Sequence, residues 1–278
     1  RNVRRLYIIS RETLTMIDKI NSFSYSQLST FKSCPQKYKI IYLDGVRKKH
    51  ESIESFMGKI VHISLEWLYE LKNREIIFDK LTEKYDQEWV AHWHDNIFIA
   101  DIYNNVDYFY SEGKKCLSNY FNKFYPFNQD VESTELKLEF KIGKYIFRGI
   151  IDRLDRNGFG NWIVHDYKTS KYIKSEQQVF NDIQLGLYQI ALEQNFDNVN
   201  KVSLNWHFLR NGKEFKVIYS NDQIRKISKK IIKSTNEIID CLDNNNKFIP
   251  KESRLCDWCY FWEECIVKNE PNRVRRAK

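Results

Sequence analysis

Near residue 130 the apolar residues of this chain change their period, and that change limits the fold more than any other feature. Before it, apolar side chains recur at helical spacing. After it, Glu135-Leu136-Lys137-Leu138-Glu139-Phe140-Lys141-Ile142 alternates polar and apolar, as a strand with one buried face should. A helical first part followed by strands interspersed with helices predicts an α/β or α+β sheet, with a helical cap drawn from the N-terminal half.

In the helical part, Ser24 precedes the periodic residues Leu28, Phe31 and Tyr38, so it reads as an N-cap; Pro35 interrupts this segment. A second helix is predicted over about 54–72, with Ile60, Val61, Leu65, Leu68 and Leu71 on its apolar side. Two more, rich in Trp and Tyr, are predicted over about 75–94 and 101–124, and Pro126 closes the series. Residues 1–20 fit either a short strand or a helix. In the sheet part, Gly143-Lys144 reads as a turn and Tyr145–Leu154 as a second strand. Asn157-Gly158 begins a hairpin loop that reaches Gly160, and Trp162-Ile163-Val164-His165 opens a third strand. A helix over 177–195, strands over 201–209 and 214–220, and a Lys-rich amphipathic helix over 221–246 follow. The whole is read as one domain, 1–278. Its helical part is 24–130, its core sheet 131–220, and its C-terminal helix and Cys-rich segment 221–278.

Composition narrows the function classes. Hydrophobic residues at 42% and charged residues at 29% suit a packed core rather than disorder. The formal charge of +8 favours a polyanionic partner. No run of about 18 apolar residues spans a membrane, and no Gly-rich Lys-Ser/Thr loop marks a P-loop ATPase. The opening residues carry no long apolar stretch, so a cytoplasmic location with reduced thiols is expected.

Two carboxylates and a lysine stand out in the sheet part. Asp152 lies in Gly149-Ile150-Ile151-Asp152-Arg153, and Asp166 and Lys168 lie in His165-Asp166-Tyr167-Lys168-Thr169. Residues i and i+2 of a strand share a face, and hairpin pairing can bring Asp152 alongside. Converging buried carboxylates repel each other. A hard divalent cation such as Mg2+ or Mn2+ relieves that repulsion, and a neighbouring lysine can stabilise charge on a phosphoryl oxygen. Ordinary surface charge pairs would leave the same local pattern.

Gly-Ile-Ile-Asp followed by Asp-Tyr-Lys-Thr resembles the core of the PD-(D/E)XK nuclease superfamily, in particular its RecB-like branch. That branch includes CRISPR-associated RecB-like nucleases and the AddB nuclease domain. Gly58-Lys59-Ile60-Val61-His62 resembles the branch's Gly-x-x-x-His helix, and Gln184-Leu185-Gly186-Leu187-Tyr188 its Gln-x-x-x-Tyr helix. The resemblance implies an α/β, restriction-endonuclease-like core, a mixed central sheet flanked by helices, with His62, Asp152, Asp166 and the Tyr167 carbonyl as ligands of Mg2+ or Mn2+. Lys168 is implied as the catalytic lysine, with Gln184 beside it and Tyr188 on the nucleic acid strand. Glu135 falls where the family often has an acidic residue. DNA with single-stranded or free ends is the implied substrate, cut to a 3′-hydroxyl and a 5′-phosphate. Repair or CRISPR adaptation proteins are the implied partners. The competing expectation is a non-catalytic DNA-binding subunit.

Cys256-x2-Cys259-x5-Cys265 reads as part of a metal centre, since a tail with no core of its own gains order from a metal clamp. Ser33-Cys34-Pro35 lies in a segment, Tyr25 to Tyr38, that resembles the one bearing the first cluster cysteine of iron–sulfur RecB-like nucleases. By that resemblance Cys34, Cys256, Cys259 and Cys265 hold a [4Fe–4S] cluster; zinc is the alternative. Cys116 and Cys241 are read as packing residues. Arg47-Lys48-Lys49 is the densest basic run before the His62 helix and is expected to track a phosphate backbone.

Overall fold

The computed structural model describes residues 22–71, 77–158, 160–243 and 247–269, together with the backbone of Arg275–Arg276. The leading segment 1–20 lies outside these residues. Helix α1 (Tyr25–Ser33) starts where the sequence places it: the Ser24 hydroxyl accepts from the backbone N–H of Gln27. Cys34 ends it, and Pro35 opens α2 (Pro35–Tyr38), in a position where its missing N–H is not needed. The cap of α3 (Ile53–Glu70) is Ser52, and that of α5 (Val106–Phe124) is Asn105; α4 (Phe78–His92) lies between them.

Five strands form the main sheet: β3 (Val131–Ile142), β4 (Tyr145–Asn157), β5 (Asn161–Lys168), β6 (Lys201–Phe208) and β7 (Lys213–Val217). Neighbours in this order pair antiparallel, except β5 and β6, which run parallel. A parallel pair needs a crossover, supplied here by α6 (Glu176–Phe180) and α7 (Ile183–Asn195). Gly143 turns the β3–β4 hairpin at φ +60°. Helix α8 (Asn221–Asp243) follows β7.

Two apolar cores flank this sheet. One joins sheet residues such as Phe147, Ile151 and Trp206 to α1, α7 and α8 through Leu28, Leu185 and Ile231. The other is built by α3, α4 and α5 through Phe56, Leu65, Tyr85 and Leu117, and meets the sheet at Tyr167. The expected mixed sheet between helices is therefore the observed architecture. Among the described residues no helix is long and apolar enough to cross a membrane.

Several details differ from expectation for local reasons. The helix predicted over 177–195 is two helices. Asp182 caps α7 through the Gln184 N–H, and a Ser175–Gln178 capping box starts α6, so the chain turns at Asn181. The helix predicted from 101 starts at Val106, because Asp101 accepts from the backbone of Tyr103 and holds a turn ahead of the Asn105 cap. A minor sheet was not expected. In it β1 (Glu51–Ser52) pairs with β2 (Ile97–Ile99), which pairs with β8 (Arg275–Arg276). Runs of two or three residues are too short to show a period.

Candidate active site

The site forms where β4 and β5 part. Their ladder runs from Asn157↔Asn161 to Arg153↔His165 and stops there, while β5 continues beside β6 to Lys168↔Phe208. The next pair across the gap is Asp152 and Asp166. With no strand partner on that side, the Tyr167 N–H donates instead to Asp152 Oδ2 at 2.6 Å. The broken ladder thus holds one carboxylate in place and opens a cleft at the strand ends.

Helix α3 closes the cleft from above. His62 Nε2 lies 3.2 Å from the Tyr167 carbonyl, and His62 Nδ1 lies 3.6 Å from Asp152 Oδ1. Gly58, one turn earlier, allows this approach: a Cβ there would sit 2.8 Å from Thr169 Oγ1. The sequence spacing Gly-x-x-x-His therefore has a steric meaning, since the helix must pass close to the residue after Lys168. Glu135 joins from β3. Its backbone lies in the left-handed region at φ +45°, which is strained for a residue with a Cβ. Ligand atoms of His62, Glu135 and Asp152 all lie within 4.8 Å of one another; among the described residues this is the one such group of three or more His, Cys, Asp or Glu. The cavity above it, about 500 Å3, is lined by Gly58, His62, Glu66, Glu135 and Thr169.

Asp166 and Lys168 lie beside this group and are held by α7. Lys168 Nζ is 2.5 Å from Asp166 Oδ2 and donates to Gln184 Oε1 at 3.0 Å. Gln184 Nε2 donates to Asp166 Oδ1 at 2.8 Å, and the Tyr188 hydroxyl donates to the same oxygen at 3.0 Å. The i, i+4 spacing of Gln184 and Tyr188 aims both side chains at one carboxylate. The sequence expects Tyr188 on the nucleic acid, yet it is 6% exposed and its hydroxyl is taken up by Asp166. Asp166 is likewise engaged by α7 and Lys168, while Glu135 stands in the ligand group. Only the resemblance pointed to Glu135; a residue that breaks strand geometry leaves no mark on alternation.

The electrostatics suit a cation. Burial and then repulsion from Asp166 push the Asp152 carboxyl up to about 8. Glu135 is raised by burial and then by Asp152. His62 is lowered, chiefly by burial, although its side chain keeps 29% of its accessible surface. A neutral imidazole, carboxylate oxygens and a backbone carbonyl around an electrostatically unfavourable centre fit a hard divalent ion.

At the other expected centre, Cys34, Cys256, Cys259 and Cys265 line one cavity of about 140 Å3, together with Lys37, Trp258 and Trp262. All four are free thiols, and burial first of all raises that of Cys259. No three of these sulfurs lie mutually within 4.8 Å. A tetrahedral zinc with Zn–S bonds of about 2.3 Å would hold them about 3.8 Å apart. Of the packing cysteines, Cys116 is buried and Cys241 only half-buried.

In the basic run 47–49, expected to track a phosphate backbone, one lysine is ion-paired within the chain. Lys48 bonds Glu263 and Glu264, each at 2.9 Å, and ties the segment to the C-terminal tail. Arg47 Nη1 donates to the Ile41 carbonyl at 2.5 Å, and Arg47 and Lys49 remain exposed. The acids that capture Lys48 lie 215 residues away or more, beyond the reach of local charge counting.

Comparison with known proteins identifies the family. Residues 22–266 match the PD-(D/E)XK nuclease superfamily. Among solved structures, a Eubacterium rectale protein provisionally named an exonuclease superposes with a TM-score of 0.50 at 13% identity, covering 93% of this chain and 92% of that one. A second, SSO0001, gives a TM-score of 0.35 at 18% identity, covering 84% and 95%. Curated proteins provide no match. With the family matched over nearly its whole length and the carboxylate–lysine cleft in place, the chain belongs to the PD-(D/E)XK nuclease superfamily.

Proposed function

We propose that this chain hydrolyses phosphodiester bonds in DNA as a divalent-metal-dependent exonuclease on single-stranded ends. The observation that carries this reading is the convergence of His62, Glu135, Asp152 and the Tyr167 carbonyl beside Lys168. These four would hold Mg2+ or Mn2+, which supplies Lewis-acid activation of water and of a phosphoryl oxygen. Lys168 provides a fixed ammonium for charge developing on the phosphoryl group. Asp166 and Gln184 keep that ammonium in place, and Tyr188 keeps Asp166 in place. His62, lowered by burial, offers a neutral ring nitrogen. Attack in line leaves a 3′-hydroxyl and a 5′-phosphate. The designation of the Eubacterium rectale relative supports the exonuclease part. Repair or CRISPR adaptation proteins are the proposed setting, on the family resemblance alone.

The same proposal assigns a [4Fe–4S] cluster to Cys34, Cys256, Cys259 and Cys265. Its support is the cavity that the four cysteines share and the family resemblance of the segment around Cys34. The cluster would clamp the tail to the start of α2. Iron, acid-labile sulfide and visible absorbance on protein purified without oxygen test it. A colourless protein with stoichiometric zinc would remove the cluster.

The activity is tested with single strands labelled at either end, followed over time in Mn2+ and then with EDTA. Stepwise shortening from one end, stopped by EDTA and lost by about 10^3-fold in Lys168→Ala, is expected. Cutting that survives both would place the active site elsewhere.

A further inference from the structure

Next to the cleft, on the far side of Gln184, the molecule has a second recess of about 680 Å3. Its position follows from the backbone. Phe23 donates its N–H to the Ile146 carbonyl and accepts from Arg148 N, each at 2.8 Å, so the first turn of α1 is pinned beside β4. The space left between that turn, the β3–β4 hairpin and α7 is the recess. Phe140, Ile150 and Leu187 supply apolar walls, and the aromatic side chains of Tyr25 and Tyr188 line it as well. Ile150 is 45% exposed, unusual for so large an apolar side chain on a core strand. Ser24, Ser26 and Gln184 supply polar groups, and Lys137, Arg148 and the carboxylate of Glu139 are its charged lining. Arg148 is shared with Glu139 at the surface, at 2.9 Å, and Lys137 is exposed. Gln184 belongs to both places: it lines the recess and bonds Lys168 and Asp166.

A largely apolar recess lined by three aromatic side chains, a few hydrogen-bonding groups and two cations against one carboxylate suits a ring system attached to a phosphate. We propose that this recess takes one unpaired nucleobase of a DNA strand whose adjoining phosphate lies at Lys168. The proposal rests on the nuclease reading above and gives it a source of strand selectivity. Inside a duplex a base is stacked on both faces and paired at its edge, so only an unpaired base can enter. The strand then crosses from the rim past Gln184 to the carboxylates, with its bases towards the α1 side.

An abasic scan tests this. Fluorescence anisotropy in EDTA measures binding of a short labelled single strand, and of the same strand with one abasic residue moved stepwise along it. Wild type is expected to lose affinity on the order of 10-fold at one position and little elsewhere, within what one base–aromatic stack contributes. Ser26→Trp fills the recess from an exposed helix position outside both cores. It is expected to bind the intact strand about as weakly as wild type binds the abasic one, with no further abasic penalty. Ile150→Ser, which strips one wall, is expected to fall between the two. An even abasic profile in wild type, a penalty that persists in Ser26→Trp, or no binding of single strands would overturn the proposal. Cleavage in Mn2+ is run in parallel. A position-specific penalty without cleavage removes the nuclease reading and keeps the recess; cleavage without a penalty does the reverse.

Discussion

Asp152 and Arg153 are neighbours on β4, and Asp166 and His165 are neighbours on β5, yet each pair divides between the two faces of the sheet. On one face, Arg153, Asp155, His165 and His207 form a sealed cluster in which no member is more than 6% exposed. Arg153 bonds Asp155 at 3.0 Å and the hydroxyls of Tyr69 and Tyr120. His165 bonds Asp155 at 3.0 Å and His207 at 2.8 Å. Burial, first among the causes, lowers both imidazoles, so one cation meets one carboxylate. On the other face, Asp152 and Asp166 share the Lys168 ammonium, and Glu135 adds a third carboxylate beside Asp152 and an open cavity. The first cluster balances its charge from within and acts as scaffold. The second lacks positive charge and is completed from outside. Alternation along β4 and β5 serves both; what separates them there is whether the β4–β5 ladder continues.

The largest expected effects would break this contrast if they came out the other way. Asp152→Asn removes a carboxylate that burial and Asp166 already disfavour. Activity is expected to fall by about 10^3-fold, while the metal-free protein keeps or gains thermal stability. Arg153→Ala leaves Asp155 buried without its cation, which should cost about 3–5 kcal/mol of stability in urea unfolding. An unfolded Asp152→Asn, or an Arg153→Ala of native stability, would exchange the two roles.

A smaller effect sharpens the contrast through pH. Asp152 is raised from 3.8 to about 8, so the folded state holds its proton more tightly than the unfolded state. For such a group, stability is greatest below about pH 4 and declines as pH rises towards about 8 in the metal-free protein. A cation competes with that proton, so Mn2+ binds better over the same rise. The Tm difference between Mn2+-loaded and metal-free protein should widen from about pH 5 to about pH 8. In Asp152→Asn the widening should disappear. A constant difference in wild type would detach Asp152 from the cation.

Short-range periods put members of the open cluster on common faces, but only the family resemblance singled them out from ordinary charge pairs. Asp166 and Lys168 share a face at i, i+2, and Gln184 and Tyr188 at i, i+4. Nothing local marks the sealed cluster: His207 reaches His165 from β6, across the crossover, 42 residues later. The partners of Lys48 were hidden for the same reason, since they lie in the tail. Glu135 was only half legible, because its left-handed backbone is imposed by tertiary structure. The α/β order was readable from the change of period, whereas the end of the β4–β5 ladder, which makes the cleft, has no sequence signal.

Tyr167 is the residue that touches both clusters, and it carries the smallest expected effect. Its hydroxyl bonds Tyr120 at 3.0 Å on the sealed side, and its backbone serves Asp152 and His62 on the open side. That backbone is held independently by the β5–β6 ladder at Tyr167↔His207. Tyr167→Phe removes the hydroxyl alone and should cost about 1 kcal/mol of stability. Mn2+ affinity, measured by calorimetric titration, should stay within about twofold, because the ladder and not the hydroxyl sets the carbonyl. A fall well beyond that would mean that the sealed cluster tunes the open one through Tyr167, and the two faces would then form a single device.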